Sequence, residues 1–388
     1  MTLHDTAEIG KKVAIAGSIG LGVILFVVIA IKIGKAISAA LNPPKIAAPN
    51  EAYGKLPAII FPQSTVKGNY SYSVNTTSGS LPEDFPDRVV VYPMIISQPN
   101  LLNLDNTRKI IANLGFTNQF GNPLPEIPRG GPTYEWDEPS GFQRKIIYNI
   151  VSNTFTMSSN YLSSLTVLNA QALGDQNAAV STVQSFLESI NSGAFPTDID
   201  LTLTQNPSPD TDYTTTPQLY SIINGQLSST TSLSNTQVIR VDLYQPEVDY
   251  SLTAGQNQNL TQIQNFDLKM PVMYPHPPYS IMNFLVASGT NQAMVVSANY
   301  NHQNINLQPD NQATYPVKTA QQAFDDLKNG KGYIAAYNGS DNQILISKVY
   351  LAYYIGDSAQ DYLEPVIVFE GQNGFFAYVP AITDEALQ

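Results

Sequence analysis

The residues best equipped for chemistry are Glu135, Asp137 and Glu138, which flank Trp136. Two carboxyl groups beside an aromatic platform are what glycoside hydrolysis uses. On a strand, however, alternation puts Glu135 and Asp137 on one face and Tyr134, Trp136 and Glu138 on the other, the pattern of an edge strand with a solvated acidic face. Besides His4 on the N-terminal tail there are two histidines, His276 inside Tyr-Pro-His-Pro-Pro-Tyr and His302 in a polar stretch. No Gly-x-Ser-x-Gly elbow accompanies them, so both are expected as loop residues. Asp198 with Asp200, Asp210 with Asp212, and Asp341 offer oxygen ligands of the kind calcium takes, but none continues into a complete calcium loop. Neither Gly-x-x-x-x-Gly-Lys nor Gly-x-Gly-x-x-Gly occurs, which removes the usual phosphate cradles. With 0 cysteines, disulfides and thiolate metal sites are excluded. The sequence therefore nominates no catalytic, cofactor-binding or metal-binding residue.

Charge narrows the partners. The 388 residues carry a formal net charge of -12, and residues 1 to 45 hold five lysines and two acids. The remainder is more acidic still, with 14 basic against 29 acidic residues (19 less 5, and 31 less 2). Such a surface repels nucleic acid and anionic headgroups. From Val13 to Ile31 no residue is charged, and at 1.5 Å per residue this run matches the bilayer core, so the lipid bilayer is an expected partner through residues 13–31. The expected arrangement is a short cytoplasmic tail and signal-anchor over 1–40, with the C-terminal region extracytoplasmic. Pro43, Pro44, Pro49, Pro57 and Pro62 predict a semi-rigid stalk over 41–63.

Three helices are predicted beyond it. The first follows Asp105, with Thr107, Ile110, Ile111 and Leu114 on one stripe and Gly115 at its end. A second runs from Asp175 to Ile190 and stops before Gly193. The third opens with a Thr319–Gln322 capping box, buries Ala320, Ala323, Phe324 and Leu327, and closes at Gly330. Each precedes alternating strand patterns, among them 134–136, 238–244, 343–354 and 375–379. In the strand over 238–244, Ile239, Val241 and Leu243 are expected inward and Arg240, Asp242 and Tyr244 outward. The predicted fold class is α+β, an N-terminal transmembrane helix followed by repeated helix-plus-antiparallel-meander modules at 64–165, 166–310 and 311–388. Tyr350, Tyr353, Tyr354 and Tyr362 gather in the last sheet, either as core packing or as exposed protein contacts.

The C-terminal seventy residues resemble PepSY-like modules, and most of all the ectodomains of the YycH and YycI regulators of a cell-wall sensor kinase. Ala320, Ala323, Phe324 and Leu327 carry that likeness, with Val349, Leu351, Tyr353, Tyr362, Pro365, Val368, Phe369, Gly371 and Tyr378 to Ala381. With its Ala-Tyr-Gly-Lys-Leu-Pro segment at 52–57, the whole chain also looks like uncharacterised single-pass surface proteins of candidate-phyla bacteria. The resemblance implies a non-enzymatic, membrane-anchored envelope protein that binds a protein or ligand and regulates a membrane neighbour. The alternative is a structural surface protein that self-associates, and an envelope hydrolase stands third.

Overall fold

In the computed structural model the described residues are 49–169, 175–191, 193–201, 217–249, 269–289, 292–308 and 312–388. Two strands come first, β1 (Ser71–Val74) and β2 (Arg88–Pro93), then helix α1 (Asn103–Asn113). A meander of β3 (Ile127–Gly130), β4 (Thr133–Asp137), β5 (Lys145–Asn149) and β6 (Phe155–Ser158) leads to the single turn α2 (Leu165–Leu168) and helix α3 (Gln176–Ile190). Next are β7 (Gln218–Ile223), β8 (Gln226–Ser229), β9 (Val238–Leu243), and the short β10 (Val248–Asp249), β11 (Lys269–Met270) and β12 (Val272–Met273). Hairpin β13 (Met282–Ser288) and β14 (Ala293–Tyr300), strand β15 (Ala313–Pro316) and helix α4 (Ala320–Lys328) follow. Strands β16 (Tyr333–Ala336), β17 (Gln343–Tyr354), β18 (Tyr362–Gly371) and β19 (Phe375–Pro380) complete the order.

The strands build two large sheets. Nine pair antiparallel in the order β3-β4-β5-β6-β14-β13-β9-β7-β8. Eight form the other, along β1-β17-β18-β19-β16, with β12 on β17 and β2 joining β18 to β15. This corrects the α+β prediction of successive helix-plus-meander modules: the described residues are mostly β-sheet, and pairing ignores the module order. Strand β1 lies parallel to β17, while β6 pairs with β14 across the expected boundary at 165 and 166. The physical reason is that the N–H and C=O groups along a strand edge need partners, and these come from whichever strand the collapsed chain brings alongside. The membrane and single-pass reading is corrected as well. No helix among the described residues is long and apolar enough to cross a membrane, and the expected anchor at 13–31 lies outside those residues.

Helices α3 and α4 form where their caps and stripes predict. Asp175 accepts a hydrogen bond from the Ala178 N–H, and Thr319 and Gln322 make both bonds of the capping box. Helix α1 begins before Asp105, at Asn103, and places that aspartate in its first turn. Gly115 ends it with φ +88°, a conformation costly for a side chain, and turns Phe116 into the core. Helix α3 packs on β9, β13 and β14, with Phe186 between Phe155 and Phe284. Strand β9 alternates as expected, yet its outward face is not solvated. Asp242 is buried, bonded to Arg240 at 2.7 Å and accepting the Ser280 N–H, while Arg240 lies 4.4 Å from the Tyr279 ring centre.

The proline-rich segment is extended but is no free stalk over its described part. Leu56 is fully buried and exchanges backbone bonds with Ala386 and Gln388. Phe61 stacks on Tyr333 at 5.1 Å and abuts Tyr354. Residues 49–62 thus strap one face of the eight-stranded sheet, and α4 with Tyr70, Tyr72 and Leu81 covers the other.

Glu364 in β18 breaks the apolar rule. It is 6% exposed on the same face as Val366, and no hydrogen bond or cation meets its carboxyl among the described residues. Burial pushes its pKa up to about 8 from 4.5. A carboxyl raised in the folded state stabilises the protonated form, so stability is greatest below the unfolded value and falls as pH rises toward 8. The loss amounts to roughly 3–5 kcal/mol. Glu364→Gln is expected to flatten urea-denaturation stability between pH 5 and 8 and to exceed the wild type above pH 8. A wild-type curve already flat over that range would contradict the assignment.

Candidate functional site

Of the acids around Trp136, Glu135 and Glu138 are held in close ion pairs, and Asp137 is exposed 3.6 Å from Lys145. Glu135 is buried and receives hydrogen bonds from Arg129 at 2.8 Å and Lys145 at 2.9 Å. The Arg129 bond is the largest influence, and despite burial these cations hold its carboxyl down at about 2. The face expected to be solvated and acidic is therefore sealed by an ion-pair cluster. Glu138 holds Arg144, which also donates to the Leu114 carbonyl at the end of α1 and lies over Phe116 at 4.8 Å. Trp136 is completely buried. These residues fasten α1 to the β4–β5 hairpin and present no carboxylate pair to a substrate.

His276 is exposed on its loop, as expected. Neither Asp200 nor Asp341 belongs to a group of three metal-binding side chains, since none exists among the described residues, and Asp210 and Asp212 lie outside them. Tyr353 and Tyr354 are core residues, the former donating to the Val90 carbonyl and meeting Tyr92 edge to face, so of the four only Tyr350 and Tyr362 reach the surface.

His302 and Asp198 are brought together from 104 positions apart, with Nε2 and Oδ2 at 2.9 Å. They stand at the mouth of a cleft of about 640 Å³ between α1, the end of α3, the β5–β6 turn and the segment after β14. This volume falls in the usual range for small-ligand sites, roughly 300–1,000 Å³. Its floor is Thr107, Tyr148, Leu187, Ile190 and Tyr300, all buried. Tyr148 and Tyr300 both stack on Phe155, and Tyr300 also stacks on His302 at 5.7 Å. Burial raises both phenols above their ordinary range, so they remain neutral hydroxyls. The walls carry Asn103 and Asn106 one turn apart on α1, Asn191 at the end of α3, Asn153, and Asn304. Among the described residues neither lysine nor arginine lines it. A second cavity, beside α4, is lined by Leu81, Phe85, Val317 and Phe324, and its buried Lys318 is bound to Asp326 and Asp384.

What the cleft can do follows from this lining. A serine–histidine–aspartate relay needs its nucleophile against the imidazole. Of the two serines in the described lining, Ser152 bonds Thr154 at 2.8 Å, and neither it nor Ser97 hydrogen-bonds His302. Among the described residues Asp198 is the one carboxylate in the lining, so a two-carboxylate hydrolysis has no second acid there. Hydrogen-bonding capacity remains, and it is large.

No family model matches the chain, and no curated protein does. Among solved structures, the chain is similar to an uncharacterised protein from Eubacterium rectale ATCC 33656. That alignment covers 77% of this chain and 84% of the other at 12% identity and a TM-score of 0.33. At that level it carries no argument for fold or function, and the PepSY-like resemblance gains no support from any comparison.

Sequence patterns could not find this site. Its residues come from four distant segments, and single asparagines have no motif; the Asn103–Asn106 spacing on one helix side was the lone available signal. For Asp198, burial disfavours ionisation, and the hydrogen bond and charge of His302 outweigh it, lowering the carboxyl pKa. Such a carboxylate adds stability above its unfolded value that is lost as pH falls through the lowered one. With His302→Ala the burial penalty is opposed only by the backbone hydrogen bond, so the Asp198 carboxyl, followed by carbon NMR, is expected to titrate higher than in the wild type. No upward movement would separate the two residues energetically.

Proposed function

We propose that residues 49–388 work by binding a ligand in the α1–α3 cleft, without turning it over. The observation that supports this is the state of the polar groups there: the two ionisable side chains satisfy each other, and the remaining donors and acceptors are uncharged amides and hydroxyls. Such a lining orients a guest without supplying a nucleophile and base. Hydrogen exchange of the full-length protein with a mixed panel of sugars and short peptides tests it. Protection is expected over 103–113 and 300–304, with every compound recovered intact by mass spectrometry. A compound recovered chemically altered would refute the non-enzymatic reading.

A second reading, assembly of copies, is favoured by one surface. Ile95, Ile96, Leu101 and Leu102 are exposed, as is Leu307, which directly follows the segment from Asn304 to Asn306 that pairs with Pro93 to Ile95. Exposed apolar groups clustered in this way mark contact sites. Sedimentation over a hundredfold concentration range would show association that Leu101→Asp abolishes if this reading is correct, and a constant monomer otherwise.

A further inference from the structure

From the pattern of partners inside the cleft, we infer that its ligand is an uncharged, hydroxyl-rich molecule, a short neutral oligosaccharide. The inference rests on the binding reading above. Asn103, Asn106, Asn191 and Asn304 line the cleft from three sides, and their side-chain amides make no hydrogen bond among the described residues. Each amide offers donors and an acceptor together, which is what a sugar hydroxyl, itself donor and acceptor, requires. The apolar floor of Leu187 and Ile190 suits the C–H face of a pyranose ring.

Charge argues against the competing classes. An anionic ligand such as a phosphate or uronate draws on arginine or lysine, and the lining has neither. A cationic ligand would need an available carboxylate, and the one in the lining, Asp198, is bound to His302. A purely apolar guest would cover the half-buried amides of Asn103 and Asn304 without offering them a partner, at a cost for each. An uncharged polyol satisfies all three conditions.

The test is calorimetric titration of the full-length protein at pH 7 with a panel of neutral trisaccharides that differ in epimer and linkage. Galacturonic acid trimer and an uncharged Gly-Ser-Asn peptide run in parallel. At least one neutral trisaccharide is expected to bind, and N103A/N304A to weaken it by about tenfold or more, as loss of two hydrogen bonds implies. Circular dichroism checks folding, and if the double variant unfolds, Asn106→Ala on the exposed side of α1 carries the same test. Binding that neither variant weakens would place the ligand elsewhere and overturn the inference. If only the acidic trimer or the peptide binds, the ligand class falls while the binding reading stands. If no probe binds and none protects 103–113 from hydrogen exchange, both fall.

Discussion

Strand β18 has no solvent face: nine of its ten residues are buried. Most of the eight-stranded sheet can be understood as the means of covering it. Its edges are paired with β17 and β19 over most of its length, and at its start with β2. On one side α4 contributes Ala323, Phe324 and Leu327; on the other, Phe61 joins an aromatic group of Tyr333, Tyr354 and Tyr378. Burying such side chains gains about 1.5–3 kcal/mol each, enough to recruit segments remote in sequence. Even Gly371 at its end reflects crowding, since a Cβ there would stand 2.6 Å from the Leu345 carbonyl oxygen. Glu364 survives in this setting by holding its proton across most of the neutral range.

The same demand for burial shapes the other sheet and, through it, the cleft. Helix α3 lies on β9, β13 and β14, and α1 packs on α3 while its end is tied to the β4–β5 hairpin. Arg144 fixes that arrangement by joining Glu138, the end of α1 and Phe116. Charged residues near the nine-stranded sheet are consumed in such internal pairs, among them Arg240 with Asp242 and Glu135 with Arg129 and Lys145. Among the described residues that line the cleft, only the Asp198–His302 pair is ionic, and the other polar groups are amides and hydroxyls.

The helices were legible because their determinants are local. The Thr319–Gln322 box, the Asp175 cap and the glycines at 115, 193 and 330 act within a few residues of chain, and tertiary packing had no reason to override them. Strand existence was legible for the same reason, with 343–354 recovered over its full length. Where the polar face of β9 goes was not: Arg240 and Asp242 read as solvent-facing, and only the loop carrying Tyr279 and Ser280 closes over them. Glu135 likewise reads as solvated until Arg129 and Lys145 arrive from neighbouring strands.

The sequence by itself determined the element types, the helix ends, the apolar stripes, the acidic charge and the absence of thiol chemistry, all properties of residues and their near neighbours. Tertiary structure alone decided that β1 and β2 join the C-terminal sheet, that 49–62 is a strap, and that Asp198 meets His302 beside four asparagines. Strand partners are chosen by which apolar faces remain uncovered once the whole chain has collapsed. That choice is made across hundreds of residues, and alternation along any one strand cannot encode it.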